Sequence, residues 1–140
     1  MVRSYQNSDT PEIIALGKEI NSNFTSLFNV ESLPKNEQVI VYENNGQIMG
    51  FLHILINIDW IEILNLVVEE NSRKQGIASV LLDYLLSDSS LDVSKILLEV
   101  RESNIPAINL YHKFNFFIIN VRENYYGDEN GIVMERSDSL

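Results

Sequence analysis

The sequence predicts a mixed α/β fold: a mostly antiparallel, twisted sheet with a central parallel strand pair, flanked by about four helices. Three observations predict it. Two β-branched and apolar runs flank Asn45-Gly46 in QVIVYENNGQIMGFLHILI, the dipeptide best suited to a two-residue hairpin turn. WIEILNLVV and VSKILLEVR are further apolar runs separated by a helix-length stretch, the arrangement that a parallel pair requires. FFIINVRENYY and GIVMER then close the chain as a second hairpin with GDENG at its tip.

The elements follow in order. Ser8, Asp9 and Thr10 are cap candidates, Pro11 suits a first helical turn, and Ile13, Ile14, Leu16 and Ile20 recur at helical spacing, so a helix is expected over 10–21. Phe24, Leu27 and Phe28 fit a short helix that Pro34 would end. After the Asn45-Gly46 hairpin, WIEILNLVV places Glu62, Leu64, Leu66 and Val68 on one face and Ile61, Ile63, Asn65 and Val67 on the other. Both faces are mostly apolar, which argues for a central strand. RKQGIASVLLDYLL opens a helix expected over 76–87, followed by the strand VSKILLEVR. In SNIPAINLYHKF, Ser103 and Asn104 are caps, Pro106 sits in the first turn, and Asn115 follows where a helix end favours a left-handed residue.

With 140 residues, 45% of them hydrophobic, and no linker or repeat, the chain reads as one domain, 1–140, able to bury its own core. The absence of cysteine excludes disulfides, thiolate metal sites and a cysteine nucleophile. His53 and His112 are too few for a metal cluster, and no metal is expected. The N-terminus lacks a leading apolar run, and Asp59, Glu62 and Asn65 interrupt the longest apolar stretches, so a soluble cytoplasmic protein without a membrane partner is expected. A net charge of −10 repels phosphate backbones and argues against nucleic acid; it favours a basic acceptor such as an amine only weakly, because an acidic surface more often serves solubility alone.

The turn before the second helix is where the sequence points to a ligand. A helix N-terminus presents unpaired N–H groups and a partial positive charge, and a glycine there lets an anion approach the backbone. The spacing of Arg73, Gly76 and Ala78 matches neither the phosphate loop of nucleotide hydrolases nor the dinucleotide turn. Arg73-x-x-Gly76-x-Ala78, after a buried strand and opening an amphipathic helix, resembles the pyrophosphate-binding motif of the GNAT superfamily of acyl-CoA-dependent N-acetyltransferases. LLEVRESNIPAINLYHKFNF is similar to that superfamily's second CoA-binding block in its protein N-terminal branch, and RENYY and GIVM extend the likeness, so that it covers residues 60–134. Within that branch the sequence most resembles the bacterial ribosomal-protein alanine acetyltransferases. Two departures are Asn115, where that branch has glycine, and NSNFTSLFNVESLPKNE, which has no clear match to its acceptor-side segment.

This resemblance implies a sheet whose central parallel pair splays to admit CoA, and acetyl-CoA as the co-substrate. It implies that Arg73, Lys74, Gln75, Gly76, Ile77 and Ala78 cradle the pyrophosphate and that the backbone of Leu66, Val67 and Val68 pairs with the pantetheine arm. Val67 and Val68 also suit a plain core role. By three- and four-residue spacing Asn104, Ala107 or Ile108, and Tyr111 share one helix face, which can line the CoA sulfur, and the resemblance implies that Tyr111 gives a proton to the departing thiolate; the alternative is an ordinary half-buried aromatic. Glu99 matches the base of the ribosomal-protein branch, and burial in an apolar strand suits that task, whereas Glu62 matches the base position of histone-acetylating members. Either could instead be a strand-edge carboxylate that faces solvent or pairs with Arg101 or Lys95. Tyr125 and Tyr126 are expected to hold the acceptor backbone, Glu129 and Asn130 to be turn residues, and His112 to face water. The implied function is acetylation of a protein N-terminal α-amine. The alternatives are acetylation of a small amine such as a polyamine, and a binding module that senses acyl-CoA without turnover.

Overall fold

The structure is a computed structural model that describes residues 1–20, 33–73, 76–88 and 93–137. Its strands are β1 (Val2–Ser4), β2 (Glu37–Asn44), β3 (Gln47–Ile56), β4 (Trp60–Val68), β5 (Lys95–Arg101), β6 (Phe117–Arg122) and β7 (Gly131–Ser137). The α-helices are α1 (Thr10–Ile20), α2 (Ile77–Leu86) and α3 (Ile105–Lys113) among the described residues. The short helix expected near Phe24 lies outside them. The strand order is β1-β2-β3-β4-β5-β7-β6. β1 with β2, β2 with β3, β5 with β7 and β6 with β7 are antiparallel, and β4 with β5 is parallel. The mixed, mostly antiparallel sheet with a central parallel pair is therefore as the sequence predicts. That parallel ladder runs from Trp60↔Lys95 to Ile63↔Leu98, and β4 continues past it to Val68.

The described chain forms two compact units, Met1–Leu55 with Asn65–Ser89, and Ile56–Leu64 with Ser90–Leu140. In the first, Asn45 and Gly46 take φ of 53° and 79°, the two left-handed residues that a tight hairpin matched to strand twist demands. Ile13 and Leu16 of α1 pack with Val39, Val41, Ile48, Phe51 and Val67 in a core cluster. Phe51 is fully buried, so Phe51→Ala there would cost about 3–5 kcal/mol. The three-residue β1, too short to show a pattern in sequence, is fixed by its side chains: Arg3 donates to both oxygens of buried Asp9 at 2.8 and 2.9 Å and also pairs with Glu43. Asp9 is thus more than a cap candidate, and the Arg3 hydrogen bonds hold its carboxyl below the usual carboxylate range.

A buried polar group crosses three strands of this unit. His53 of β3 is 3% exposed, its Nε2 lies 2.7 Å from Glu37 Oε1 of β2, and its Nδ1 lies 3.0 Å from Asn65 Nδ2 of β4. An amide NH₂ can only donate, so Nδ1 accepts and Nε2–H donates to Glu37, which defines a neutral imidazole. Burial outweighs the Glu37 carboxylate and lowers the His53 pKa from its ordinary value.

In the second unit, β5 is sandwiched between β4 and β7, and the full seven-residue β5–β7 register runs Lys95↔Ser137 to Arg101↔Gly131. Asn104 caps α3, its Oδ1 accepting from the Ala107 N–H at 3.3 Å, and Asn115 takes φ of 67° just past the helix end. Both follow the sequence reading. Tyr111 and Phe116 are buried edge to face with ring centroids 5.4 Å apart. The closing hairpin is present, but Glu123 to Tyr126 turn away from the strand instead of extending it, with the Tyr125 N–H bonded to the Arg122 carbonyl.

Candidate active site

In the first unit the strand-to-helix turn begins where β4 ends. Val67 is buried, and Leu66 and Val68 are half-buried. The turn folds back on itself: buried Ser72 donates its hydroxyl to Glu69 Oε2 at 2.7 Å, and Arg73 Nε donates to the Val68 carbonyl at 3.2 Å. Gly76 then caps α2 with φ of 81° and without a side-chain cap, and nothing lies within 4 Å of where its Cβ would stand. The first helical bond runs from Val80 N–H to the Gly76 carbonyl, so the N–H groups of Ile77, Ala78 and Ser79 have no helical acceptor. Three backbone donors, the positive helix end and a glycine that clears the approach fit a pyrophosphate. Lys74 and Gln75 lie outside the described residues.

Gly50 supports this turn from β3. A Cβ there would stand 2.9 Å from the Val67 carbonyl oxygen and 3.2 Å from Ile77 Cγ2, so the missing side chain lets β3 press against both the end of β4 and the start of α2. The signal in sequence was a lone glycine inside a strand.

In the second unit the sheet register gathers charge on one face. Glu62 stands opposite Leu97, Glu99 is two residues further along β5, Arg101 stands opposite Gly131, and Gly131 stands opposite Arg122 of β6. Partners across a ladder share a face, so Glu62, Glu99, Arg101 and Arg122 all project from the same one. Burial first, and the charge of Glu99 second, push the Glu62 carboxyl above its ordinary value. Glu99 Oε1 accepts from Arg122 Nη1 at 3.1 Å, while Glu99 Oε2 is buried without a hydrogen-bond partner. The alternative of a strand-edge Glu99 paired with Arg101 or Lys95 does not hold for its partner, which is Arg122, brought over from β6.

Tyr125 and Tyr126 sit edge to face with centroids 5.0 Å apart, each carrying a guanidinium on its ring, Arg122 at 4.0 Å from Tyr125 and Arg101 at 4.4 Å from Tyr126. Burial, followed by the charge of Glu99, pushes the Tyr126 phenol up. Tyr111 is 4% exposed, and burial pushes its phenol well above its ordinary value. It is deeper than a half-buried aromatic and stays protonated at neutral pH. Ala107, one turn earlier on α3, is half-buried, and Asn104 is exposed.

Glu129 and Asn130 are not merely turn residues. Glu129 accepts from the Ser103 N–H at 2.8 Å, from the Ser103 hydroxyl at 3.0 Å and from Arg101 at 3.2 Å, and Asn130 donates to Glu102 at 3.2 Å. The Ser103 hydrogen bonds, the backbone one foremost, hold the Glu129 carboxyl below its usual range. The hairpin tip is thereby clasped to the segment that starts α3. His112 is exposed as expected, with Nδ1 3.0 Å from the Phe116 carbonyl.

Of the residues singled out from sequence, Glu62, Glu99, Tyr125 and Tyr126 are drawn into mutual electrostatic or ring contact within the second unit. Arg73, Gly76, Ile77 and Ala78 form the turn of the first. Arg122, Gly131, Glu129 and Gly50 were missed as site-builders.

A mixed, mostly antiparallel sheet with a parallel pair, and a glycine-capped turn from strand to helix, defines an α/β class of fold, and the chain belongs to the acetyltransferase (GNAT) family, whose model matches residues 5–116. Among curated relatives it is similar to the [ribosomal protein bS18]-alanine N-acetyltransferase of Escherichia coli strain K12, 33% identical over 95 residues. That match spans 64% of this chain and 64% of the relative, so the chain covers less than two thirds of it. It is also 30% identical to an N-alpha-acetyltransferase of Sulfolobus acidocaldarius over 139 residues, 86% of this chain and 82% of that one. Among solved structures, a GNAT family acetyltransferase from Elizabethkingia anophelis with acetyl-CoA bound superposes with a TM-score of 0.81 at 19% identity, over 98% of this chain and 97% of that one, and shows the fold alone. Among the described residues no helix is long and apolar enough to cross a membrane.

Proposed function

We propose that the chain acts as one N-acetyltransferase domain that moves an acetyl group from acetyl-CoA to the N-terminal α-amine of a protein. The observation that carries this reading is the carboxylate pair of the second unit: Glu62 with its proton affinity raised, and Glu99 with one oxygen held by Arg122 and the other buried and free. Such an arrangement suits taking a proton from an incoming ammonium. An α-amine, with a pKa near about 8, gives up that proton far more readily than a lysine near about 10.4. The named activities of the relatives from Escherichia coli and Sulfolobus acidocaldarius support the same acceptor class.

Acetyl-CoA, when bound, supplies the acetyl group as a thioester. The chain supplies the rest. The N–H groups after Gly76 and the helix end hold the pyrophosphate, and the end of β4 at Leu66 to Val68 lies beside the pantetheine arm. Glu99 takes the proton from the acceptor amine, with Glu62 as the second carboxylate. Tyr111, a protonated phenol on α3, gives its proton to the departing sulfur. Tyr125 and Tyr126 hold the acceptor backbone.

The formal charge of −10 and the paired carboxylates also favour a small cationic amine such as a polyamine as the acceptor. Mass spectrometry separates the two readings. After incubation with acetyl-CoA, a short peptide with a free N-terminus gains an acetyl group at its first residue if the reading is right. A peptide left unmodified beside an acetylated polyamine would replace it.

A further inference from the structure

We propose that Arg122 is a positioning residue for the transfer: it ties down one oxygen of Glu99 and so sets the orientation of the carboxylate that takes the acceptor's proton. This rests on the functional reading above and adds a residue to it. Three observations carry it. Glu99 has unequal oxygens, Oε1 bonded to Arg122 Nη1 at 3.1 Å and Oε2 buried without a partner. The guanidinium is itself fixed from a second side, 4.0 Å from the centroid of the Tyr125 ring, which the turn back to the Arg122 carbonyl brings over it. Lastly, a Cβ on Gly131 would collide with Glu99 Oε2 and stand 3.2 Å from Tyr125 Cδ2, so the absent side chain makes the room that this oxygen occupies in the carboxylate's present orientation.

The ion pair is exposed, with side chains at 19% and 49%, and pairs so exposed contribute little to stability. Its consequence is orientation. A carboxylate held by one oxygen cannot spin both lone-pair sets away from the substrate, and a base out of line by an ångström loses rate steeply. By the same register the charged residues sharing its face on the neighbouring strands are Glu62, Lys95, Arg101, Arg122 and Glu135, with the Tyr125 and Tyr126 phenols nearby, and of these Arg122 is the one hydrogen-bonded to Glu99.

The test compares Arg122→Met, which keeps the stem but not the charge, with Arg122→Lys, which returns a single donor. Steady-state kinetics should show kcat down about tenfold to a hundredfold in Arg122→Met with KM for acetyl-CoA unchanged, and much of that loss recovered in Arg122→Lys. Equal losses in both variants, or a wild-type rate in Arg122→Met, would overturn the assignment. A crystal structure of Arg122→Met gives a readout that needs no turnover: the assignment requires the Glu99 carboxylate to turn, and an unmoved carboxylate overturns it. Wild-type protein that releases no thiol with any amine would remove the functional reading instead, and the Glu99 orientation then decides the role of Arg122 separately.

Discussion

On the proposed reading, the groups that the first unit offers to a ligand are peptide N–H donors around Gly76, whereas those of the second are side chains: Glu62, Glu99, Tyr111, Arg122 and the tyrosine pair. The difference is chemical. A pyrophosphate carries its charge throughout the reaction, and fixed backbone dipoles at a helix end suit a fixed charge. An amine that must lose a proton needs groups whose proton affinity can be tuned by neighbours, as Glu62 is by burial and by Glu99. Binding in the one unit and proton transfer in the other should therefore be separable by substitution.

The largest expected effect falls on the backbone half. Gly76→Leu would force a branched side chain into φ of 81° and fill the open space before α2, so acetyl-CoA binding by calorimetry should fall about a hundredfold or more. Retained affinity would break the comparison at its first term. On the other side, Glu99→Gln should lower kcat by about 10²–10⁴-fold while leaving that affinity nearly intact. Glu62→Gln serves as its control, and whichever substitution costs more identifies the base.

Glu62 also makes a stability prediction. Its folded pKa lies above its unfolded value, so the native state binds more protons than the unfolded state through that window, and stability is lost as pH rises through it. Glu62→Gln should consequently raise Tm at neutral pH even as it slows turnover, as expected of a residue kept for chemistry. Tyr111→Phe, which keeps the packing on Phe116, should lower kcat about tenfold with acetyl-CoA affinity unchanged. An unchanged rate would take Tyr111 out of the proton path.

The smallest effect concerns His53, a buried group of the first unit that the proposed chemistry does not use. The folded pKa of His53 is below its unfolded value near about 6.5, so the unfolded chain takes up a proton first, and stability should fall as pH drops below about 6.5. Denaturant titrations at several pH values check this, and His53→Gln should flatten the slope.

What the sequence made legible follows the same division. Asn45-Gly46, Gly76, Asn104 and Asn115 each announce a local backbone need, and all four stand where that need placed them. The missed contacts join residues far apart in sequence: Arg122 with Glu99 at a separation of 23, and Ser103 with Glu129 at 26. Their meeting depends on the β5–β7–β6 register, which no local pattern encodes. Glu129 looked like any acidic turn residue because turn chemistry and a clasp use the same side chain. Gly50 and Gly131 gave only the weak signal of a glycine within or beginning a strand, although each marks a close approach.

The most direct test of the central claim is thiol release from acetyl-CoA by the purified protein across a panel of acceptors: short peptides with free and with blocked N-termini, a peptide with a lysine as its one amine, and polyamines. Turnover confined to the peptides with free N-termini is the predicted result. Turnover confined to polyamines would contradict the acceptor assignment, and tight acetyl-CoA binding with no thiol release from any of them would contradict the catalytic reading of Glu99 and Tyr111.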